Sequence, residues 1–497
     1  MNLLDWTLIL PGLAFLLVLI FSGVTAKKLA LAAALVIFLV SLGLLGPALA
    51  TPAQMTLETN VSWIDQPAIR YHTGIDGVSV WLIILTTLLT PISMLVSWNY
   101  IKDRVPQFYA LLLLLEFGLI GVFMSLDLFL FYVFWEICLV PMFLLIGIYG
   151  HDRRIYAAVK FFLYTMVGSV LMLIAMVYIY GKAGGTFDYI QIMAKITSGQ
   201  LKFEAAEQMW LFLAFFVAFA IKVPLFPLHT WLPDAHVEAP TAGSVMLAAV
   251  MLKMGTYGIL RFAIPMFPEA AQAAKQPIIA LAIIGIIFGA LVALVQPNMK
   301  KLVAYSSVSH LGFVVLGLFT FTQAGIDGAV YIMLAHGIST GALFMLVGYM
   351  YERNHSLEIK DYGGVATPAP NLSIVFLITT LASIGMPLLS NFVGEFLVLQ
   401  GAAIVNIWLA VFAGLGVILS ACYMLWLYQR AFFGEASHHV SEHVTDLNLR
   451  EWVTLIPMLV LMIWMGVYTQ TFLPSISASN GAMLQKSGQS KEIANVR

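Results

Sequence analysis

Residues 215–236, FFVAFAIKVPLFPLHTWLPDAH, begin as an apolar helix, place Lys222 at its end, and then meet Pro224, Pro227 and Pro233. Each proline lacks an N–H and clashes with the preceding turn, so a helix is expected to break or kink just after Lys222. Non-helical backbone at membrane depth is tolerated only inside protein or beside a cavity. An ionisable residue beside such a break is the usual layout of an ion site in a discontinuous helix. A buried lysine near a carboxylate is readily switched between charged and neutral forms, so this one could take and release a proton. A static ion pair is the plainer alternative.

The rest of the chain supplies the solvent in which that reading makes sense. Of 497 residues, 61% are hydrophobic and only 10% charged, against about 25% charged in soluble domains. Too little polar side chain exists to cover the apolar surface in water, and lipid is the solvent that fits. The formal net charge is −1, which leaves no concentrated positive footprint for nucleic acid. The N-terminal run MNLLDWTLILPGLAFLLVLIF has no basic leader and reads as a first spanning helix, not a cleaved signal. Cys138 and Cys422 both sit in apolar runs and read as buried small hydrophobes. No CxxC or other metal-ligand spacing is present, and no local motif supports haem or an iron–sulfur cluster.

The expected fold is an all-α integral membrane protein of about fourteen transmembrane helices, each needing about 20 apolar residues. The spans fall near 3–22, 29–49, 78–99, 107–124, 127–149, 156–181, 208–228, 241–263, 277–296, 302–321, 328–350, 372–400, 407–430 and 452–473. The run 372–400 is long and interrupted. One set of connections carries twelve Lys and Arg residues in mostly short loops, and the opposite set carries eight. Short basic loops favour the cytoplasm, so both termini are expected on the other side. Residues 1–497 form a single polytopic membrane domain; the connections 50–77 and 182–207 are modest, and 474–497 reads as a polar, mobile tail. Four basic residues fall inside spans: Lys160, Lys222, Lys253 and Arg261. Arg261 and Lys160 lie near helix ends and are expected to snorkel to the interface.

Further ionisable groups lie deep. Glu136, in DLFLFYVFWEICLVPMFLLIGI, stands about 13 Å of helix beyond Asp127, where a carboxylate is costly unless paired, hydrated or protonated. It is a candidate proton-relay carboxylate or, alternatively, half of a structural pair. Lys253 lies in PTAGSVMLAAVMLKMGTYGIL, among small residues that permit close helix packing, and is expected to point into the bundle. His310 and His336 lie in VAYSSVSHLGFVVLGLF and VYIMLAHGISTGALFMLVGY. Imidazole donates and accepts at once and titrates near physiological pH, so both suit middle links of a relay; helix-interface packing is the alternative. Glu395 follows Gly385, Pro387 and Asn391 in TTLASIGMPLLSNFVGEFLVLQ, a second candidate broken helix. Asp234, His236 and Glu238 could form a metal-ligand string, but polar groups at a membrane face need no metal. HSLEIKDYGG (355–364) and HHVSEH (438–443) read as solvated loops.

Lys222, Glu136, Lys253, His310, His336 and Glu395 occupy different helices and alternate in charge type. Together they suggest a hydrated proton wire running laterally through the membrane. No nucleophile triad, phosphate loop or nucleotide fingerprint accompanies them. The driving energy would then come from an ion gradient or a partner subunit.

Five stretches, FWEICLVPMFLLIGIYG, KVPLFPLHTWLPDAHVEAPTAGSVMLAAVMLKMGTYG, YSSVSHLGF, AHGISTGALF and GMPLLSNFVGEF, resemble in order and spacing the antiporter-like membrane subunits of respiratory complex I. The same outline is shared with multisubunit sodium–proton antiporters and membrane-bound hydrogenases, and it covers nearly the whole chain. The resemblance implies a proton channel without a cofactor in this chain, with NADH, flavin, iron–sulfur and quinone chemistry elsewhere in the complex. It implies two inverted five-helix repeats, helices 4–8 (about 107–263) and 9–13 (about 277–430), with helices 7 and 12 broken. It matches Glu136 to the essential fifth-helix glutamate, paired with Lys222 of the seventh. Lys253, His310, His336 and Glu395 match the lateral axis. Glutamate at position 395, and a chain ending soon after its last span, resemble one branch of the family; the L and N siblings typically carry lysine there. The implied partners are those L and N subunits, lipids and, indirectly, the peripheral redox arm. The implied location is a bacterial inner membrane with periplasmic termini. An antiporter subunit, a hydrogenase-type subunit and an inert scaffold are the competing readings.

Overall fold

The computed structural model describes residues 1–436 and 438–486. Among them, 12 helices are long and apolar enough to cross a membrane, from Gly23–Ala50 to Leu449–Val467. Three shorter apolar helices, Leu3–Val18, Pro370–Ser383 and Ser390–Val405, complete the set. Leu3–Val18 has only 16 residues, and the run 372–400 divides at Gly385 and Leu388, both of which take left-handed backbone. The break expected after Lys222 is present: helix Ala205–Lys222 ends there, and Trp231–Glu238 resumes beyond Pro224 and Pro227, with Pro233 in its first turn.

The helices sort by what surrounds them. The apolar windows of Thr241–Met266 and Gln323–Asn354 are 100% buried and that of Met299–Thr320 is 94% buried, which makes these three the core of the bundle. They carry Lys253, His336 and His310. Arg154–Lys182 and Ile407–Phe432 instead expose large apolar residues such as Leu163, Val167, Ile174, Val411 and Ile418. Apolar outside and ionisable inside is the inverse of a soluble bundle, and it fits a lipid surround.

Small residues set the closest approach. A Cβ on Gly328 would lie 2.7 Å from the Gly394 carbonyl, and one on Gly401 would lie 2.6 Å from the Gly325 Cα. Helices Gln323–Asn354 and Ser390–Val405 thus touch backbone to backbone, the packing that small residues permit in membranes. That contact brings Glu395 to the core.

The membrane-crossing fold is all-α, as expected. Several finer expectations are corrected. In the connection 50–77, Thr56–Ile64 and Ile69–Ile75 pair as an antiparallel hairpin. TLETNVSWI alternates polar with β-favouring side chains, which suits a strand. Leu473–Lys486, the beginning of the expected polar tail, is a helix. Its polar groups dock it: Trp81 Nε1 donates to Ser475 Oγ at 2.9 Å, Ser479 Oγ to Asp76 at 2.6 Å and Asn480 Nδ2 to Asp327 at 2.9 Å. Residues 487–497 lie outside the described residues. Cys138 is buried as expected, but Cys422 is exposed, because helix Ile407–Phe432 lies at the rim. HHVSEH is a short helix, His438–His443, not a loop.

Candidate proton relay

Four of the six expected relay residues form one chain. Helix Thr241–Met266 is interrupted by a π-helical turn, Leu247–Met251, just before Lys253. From there Lys253 Nζ reaches back to the Ala248 carbonyl at 2.5 Å and to His336 Nδ1 at 2.8 Å. The His336 and His310 rings lie edge to face with centroids 5.8 Å apart. His310 Nδ1 meets Glu395 Oε1 at 3.1 Å. The Nε2 atoms of both histidines are buried and have no hydrogen-bond partner among the described residues. Lys253, His310, His336 and Glu395 are all nearly or fully buried. Each end of the chain is ionisable, and the middle consists of two groups that both donate and accept.

The second helix break positions the far end. Gly385 has φ +74°, and a Cβ there would run into the Glu395 carboxylate. Only glycine offers both that backbone and that space.

Lys222 and Glu136 stand apart from this chain. Lys222 Nζ lies 5.4 Å from the Trp135 ring centroid and 5.2 Å from that of Phe161. It is buried and has no hydrogen-bond partner among the described residues, and the same holds for Glu136 Oε1. The Glu136–Lys222 pairing that the resemblance implies is thus not a direct contact here. The aromatic faces hold the ammonium through the ring quadrupole.

The two cations expected to snorkel are instead paired. Lys160 Nζ meets Asp234 Oδ2 at 2.7 Å. Arg261 Nη2 meets Asp76 Oδ2 at 2.6 Å with both side chains largely buried. Asp234, His236 and Glu238, read as needing no metal, each face a different neighbour. Asp234 is taken by Lys160, and Glu238 accepts from the Arg153 backbone N–H at 2.9 Å. His236 stacks on Phe344 with centroids 4.4 Å apart, and neither ring nitrogen has a hydrogen-bond partner among the described residues.

His236 is a residue that sequence reasoning misplaced. It is fully buried within electrostatic reach of Lys300, Lys253 and His336. The signal was its place one turn beyond the prolines, on the continuation of a broken helix.

Residues 125–420 match the family described as NADH:quinone oxidoreductase/Mrp antiporter, TM. NADH-quinone oxidoreductase subunit M of Rhodobacter capsulatus is 47% identical over 468 residues, covering 93% of this chain and 90% of that protein. NADH-ubiquinone oxidoreductase chain 4 of Marchantia polymorpha is 44% identical, covering 87% and 86%. Among solved structures, a chain of respiratory complex I from Thermus thermophilus with bound NADH superposes with a TM-score of 0.89 at 34% identity, covering 97% of this chain and 99% of that one. A chain of an archaeal membrane-bound sulfane sulfur reductase shares the fold at 23% identity with a TM-score of 0.86, covering 99% of each. The chain belongs to the NADH:quinone oxidoreductase/Mrp antiporter family, as a subunit M-type antiporter-like membrane subunit of NADH-quinone oxidoreductase.

Proposed function

We propose that this subunit carries protons through the membrane arm along Lys222, Lys253, His336, His310 and Glu395, with Glu136 modulating Lys222 and the driving energy supplied by redox chemistry elsewhere in the complex. The observation that carries the reading is the close approach of Lys253 to His336 and of His310 to Glu395, with the two imidazole rings in edge-to-face contact between them, across three fully packed helices and one that follows a break. Burying four ionisable groups together is expensive and gives a scaffold nothing that apolar packing would not. A group that must exchange protons, by contrast, needs a neighbour able to accept one.

Lys222 and Glu136 act as the switch. Separated, as here, the lysine rests against aromatic rings without a hydrogen bond; closer approach of the carboxylate would favour its charged form. Driving the two together and apart would load and unload one proton.

The arrangement of two inverted repeats, 107–263 and 277–430, fourteen crossings, neighbouring L and N subunits, and periplasmic termini in a bacterial inner membrane belongs to the same proposal. Support comes from the matching breaks after Lys222 and before Glu395 and from the excess of Lys and Arg on one set of loops. Gentle purification of the native assembly, mass spectrometry of its partners and an NADH oxidation assay test it. Co-purifying peripheral-arm, L and N subunits with NADH–quinone activity are expected. Small antiporter partners without redox activity would overturn it.

A further inference from the structure

Glu116 lies in the apolar run LLLLLEFGLIGVF of helix Val105–Met124. It is 0% exposed, and neither carboxyl oxygen has a hydrogen-bond partner among the described residues. The polar side chain facing it is Thr90 of helix Ser79–Val96. Thr90 Oγ1 already donates its hydrogen to the Thr86 carbonyl at 3.0 Å. While that bond is made, it can only accept from Glu116. A protonated carboxyl can donate into that lone pair, whereas a carboxylate would have to draw the hydroxyl hydrogen away from the Thr86 carbonyl. The surroundings fit a carboxyl that holds a proton.

Thr90 starts a polar row. Ser93 and Ser97 follow three and seven residues later, on the same side of the helix. Both hydroxyls are buried and unpartnered among the described residues. This side meets helix Val105–Met124, since Tyr109 donates to the Met94 carbonyl at 3.4 Å and its ring lies 6.2 Å from that of Trp98. The row ends at the face of the basic loops. There the Val96 carbonyl accepts from Arg450 Nη1 at 3.5 Å, and Arg450 also lies 3.5 Å from Glu352 and 3.7 Å from Glu451.

At its inner end the row approaches Glu136. Helix Val105–Met124 runs antiparallel to Leu128–Tyr149: a Cβ on Gly118 would lie 2.7 Å from Cys138 Sγ, and one on Gly121 would strike the Phe134 ring. That register sets Glu116 level with Val140, about one helical turn, roughly 5.4 Å, nearer the basic-loop face than Glu136.

We propose that Glu116 is a proton-carrying carboxyl, loaded from the basic-loop face along Ser97, Ser93 and Thr90, that hands its proton inward to the Glu136 carboxylate. Glu116 is left as a carboxylate in that step and is reprotonated along the serine row. The proposal rests on the relay reading above.

The test uses the intact complex reconstituted in liposomes, with protons translocated per NADH oxidised as the readout. Glu116→Gln keeps the shape and removes the exchangeable proton. It is expected to lower the ratio and to delete a protonated-carboxyl band from the infrared difference spectrum. Glu116→Asp is expected to restore part of the ratio. Lys222→Ala is the control for the relay itself. A wild-type ratio in Glu116→Gln alongside a lowered ratio in Lys222→Ala would overturn the Glu116 proposal and leave the relay standing. Wild-type ratios in both would overturn both. Failure of both Glu116 variants to assemble would make the carboxyl structural and overturn the proposal.

Discussion

His310 and His336 lie edge to face with ring centroids 5.8 Å apart, each turning Nδ1 to an ionisable neighbour and leaving Nε2 unpartnered among the described residues. In the proposed relay a proton crosses between the rings, toward Lys253 or toward Glu395, as those groups change charge. In the proposed relay Glu395 is the link from the histidines to one membrane face. Glu395→Gln keeps a hydrogen-bond partner for His310 Nδ1 but cannot take a proton. The variant is expected to assemble, and its proton-transfer step should slow by on the order of 10²-fold. NADH-driven acidification in liposomes measures the effect.

Gly385 is a second point of vulnerability. Its left-handed backbone and its contact with the Glu395 carboxylate leave no room for a side chain. Gly385→Ala is expected to cost about 1–2 kcal/mol in backbone strain alone. It should also push Glu395 away from His310. A lowered unfolding midpoint together with lost coupling is the expected result, whereas a change in stability alone would separate the break from the relay.

Asp76 and Arg261 form a buried pair that also receives Ser479 from the C-terminal helix Leu473–Lys486. Asp76→Ala strands a buried guanidinium and is expected to destabilise by about 3–5 kcal/mol, the range for an orphaned buried charge. Asp76→Asn, which retains acceptor oxygen, should cost less. Release of the C-terminal helix, read by protease sensitivity within 473–486, should accompany the alanine variant.

The hairpin is tied down by charges outside the spans. His72 Nδ1 meets Asp188 Oδ2 at 2.8 Å, and Nε2 meets Glu58 Oε2 at 3.3 Å. Burial opposes the charged imidazole, but Asp188 and Glu58 outweigh it and raise its pKa above the ordinary histidine value. Burial likewise opposes the Asp188 carboxylate, and His72 with the Gln191 and Ile190 backbone N–H groups lowers its pKa. The raised histidine contributes stability that is fully present below its unfolded pKa and is lost as pH rises through its folded value. The lowered aspartate contributes stability present above its unfolded pKa and lost as pH falls through its folded value. Docking of residues 56–75 should therefore be firmest between those limits. Limited proteolysis of this segment should increase toward alkaline pH in the wild type, and His72→Gln should abolish that dependence.

Much of the site is legible in the sequence because lipid makes charge conspicuous. Lys222, Lys253 and Glu136 stand out as ionisable residues in long apolar runs, and the prolines after Lys222 announce the first break. The order of the chain is not legible. That Lys253 meets His336, and His310 meets Glu395, depends on how four helices pack, and on Gly328 and Gly394 letting two of them touch. Glu116 shows the opposite failure. It is as conspicuous in LLLLLEFGLIGVF as Glu136 is in its own run, but no proline or glycine break marks it, so it draws no notice until its unpartnered oxygens are seen. Lys160 and Arg261 look free near helix ends because their partners, Asp234 and Asp76, are distant in sequence. The hairpin hides in a short polar connection whose alternation is mild beside the surrounding apolar runs.

The central claim is that protons pass between Lys253 and Glu395 through two imidazoles. The most direct test is the number of protons translocated per NADH oxidised by the reconstituted complex carrying His336→Ala, with assembly checked by native electrophoresis. The expected result is an assembled complex with a clearly lowered ratio, because the alanine opens a gap between Lys253 and His310 that side chains no longer bridge. An assembled complex pumping at the wild-type ratio would contradict the account and reduce the buried charges to packing.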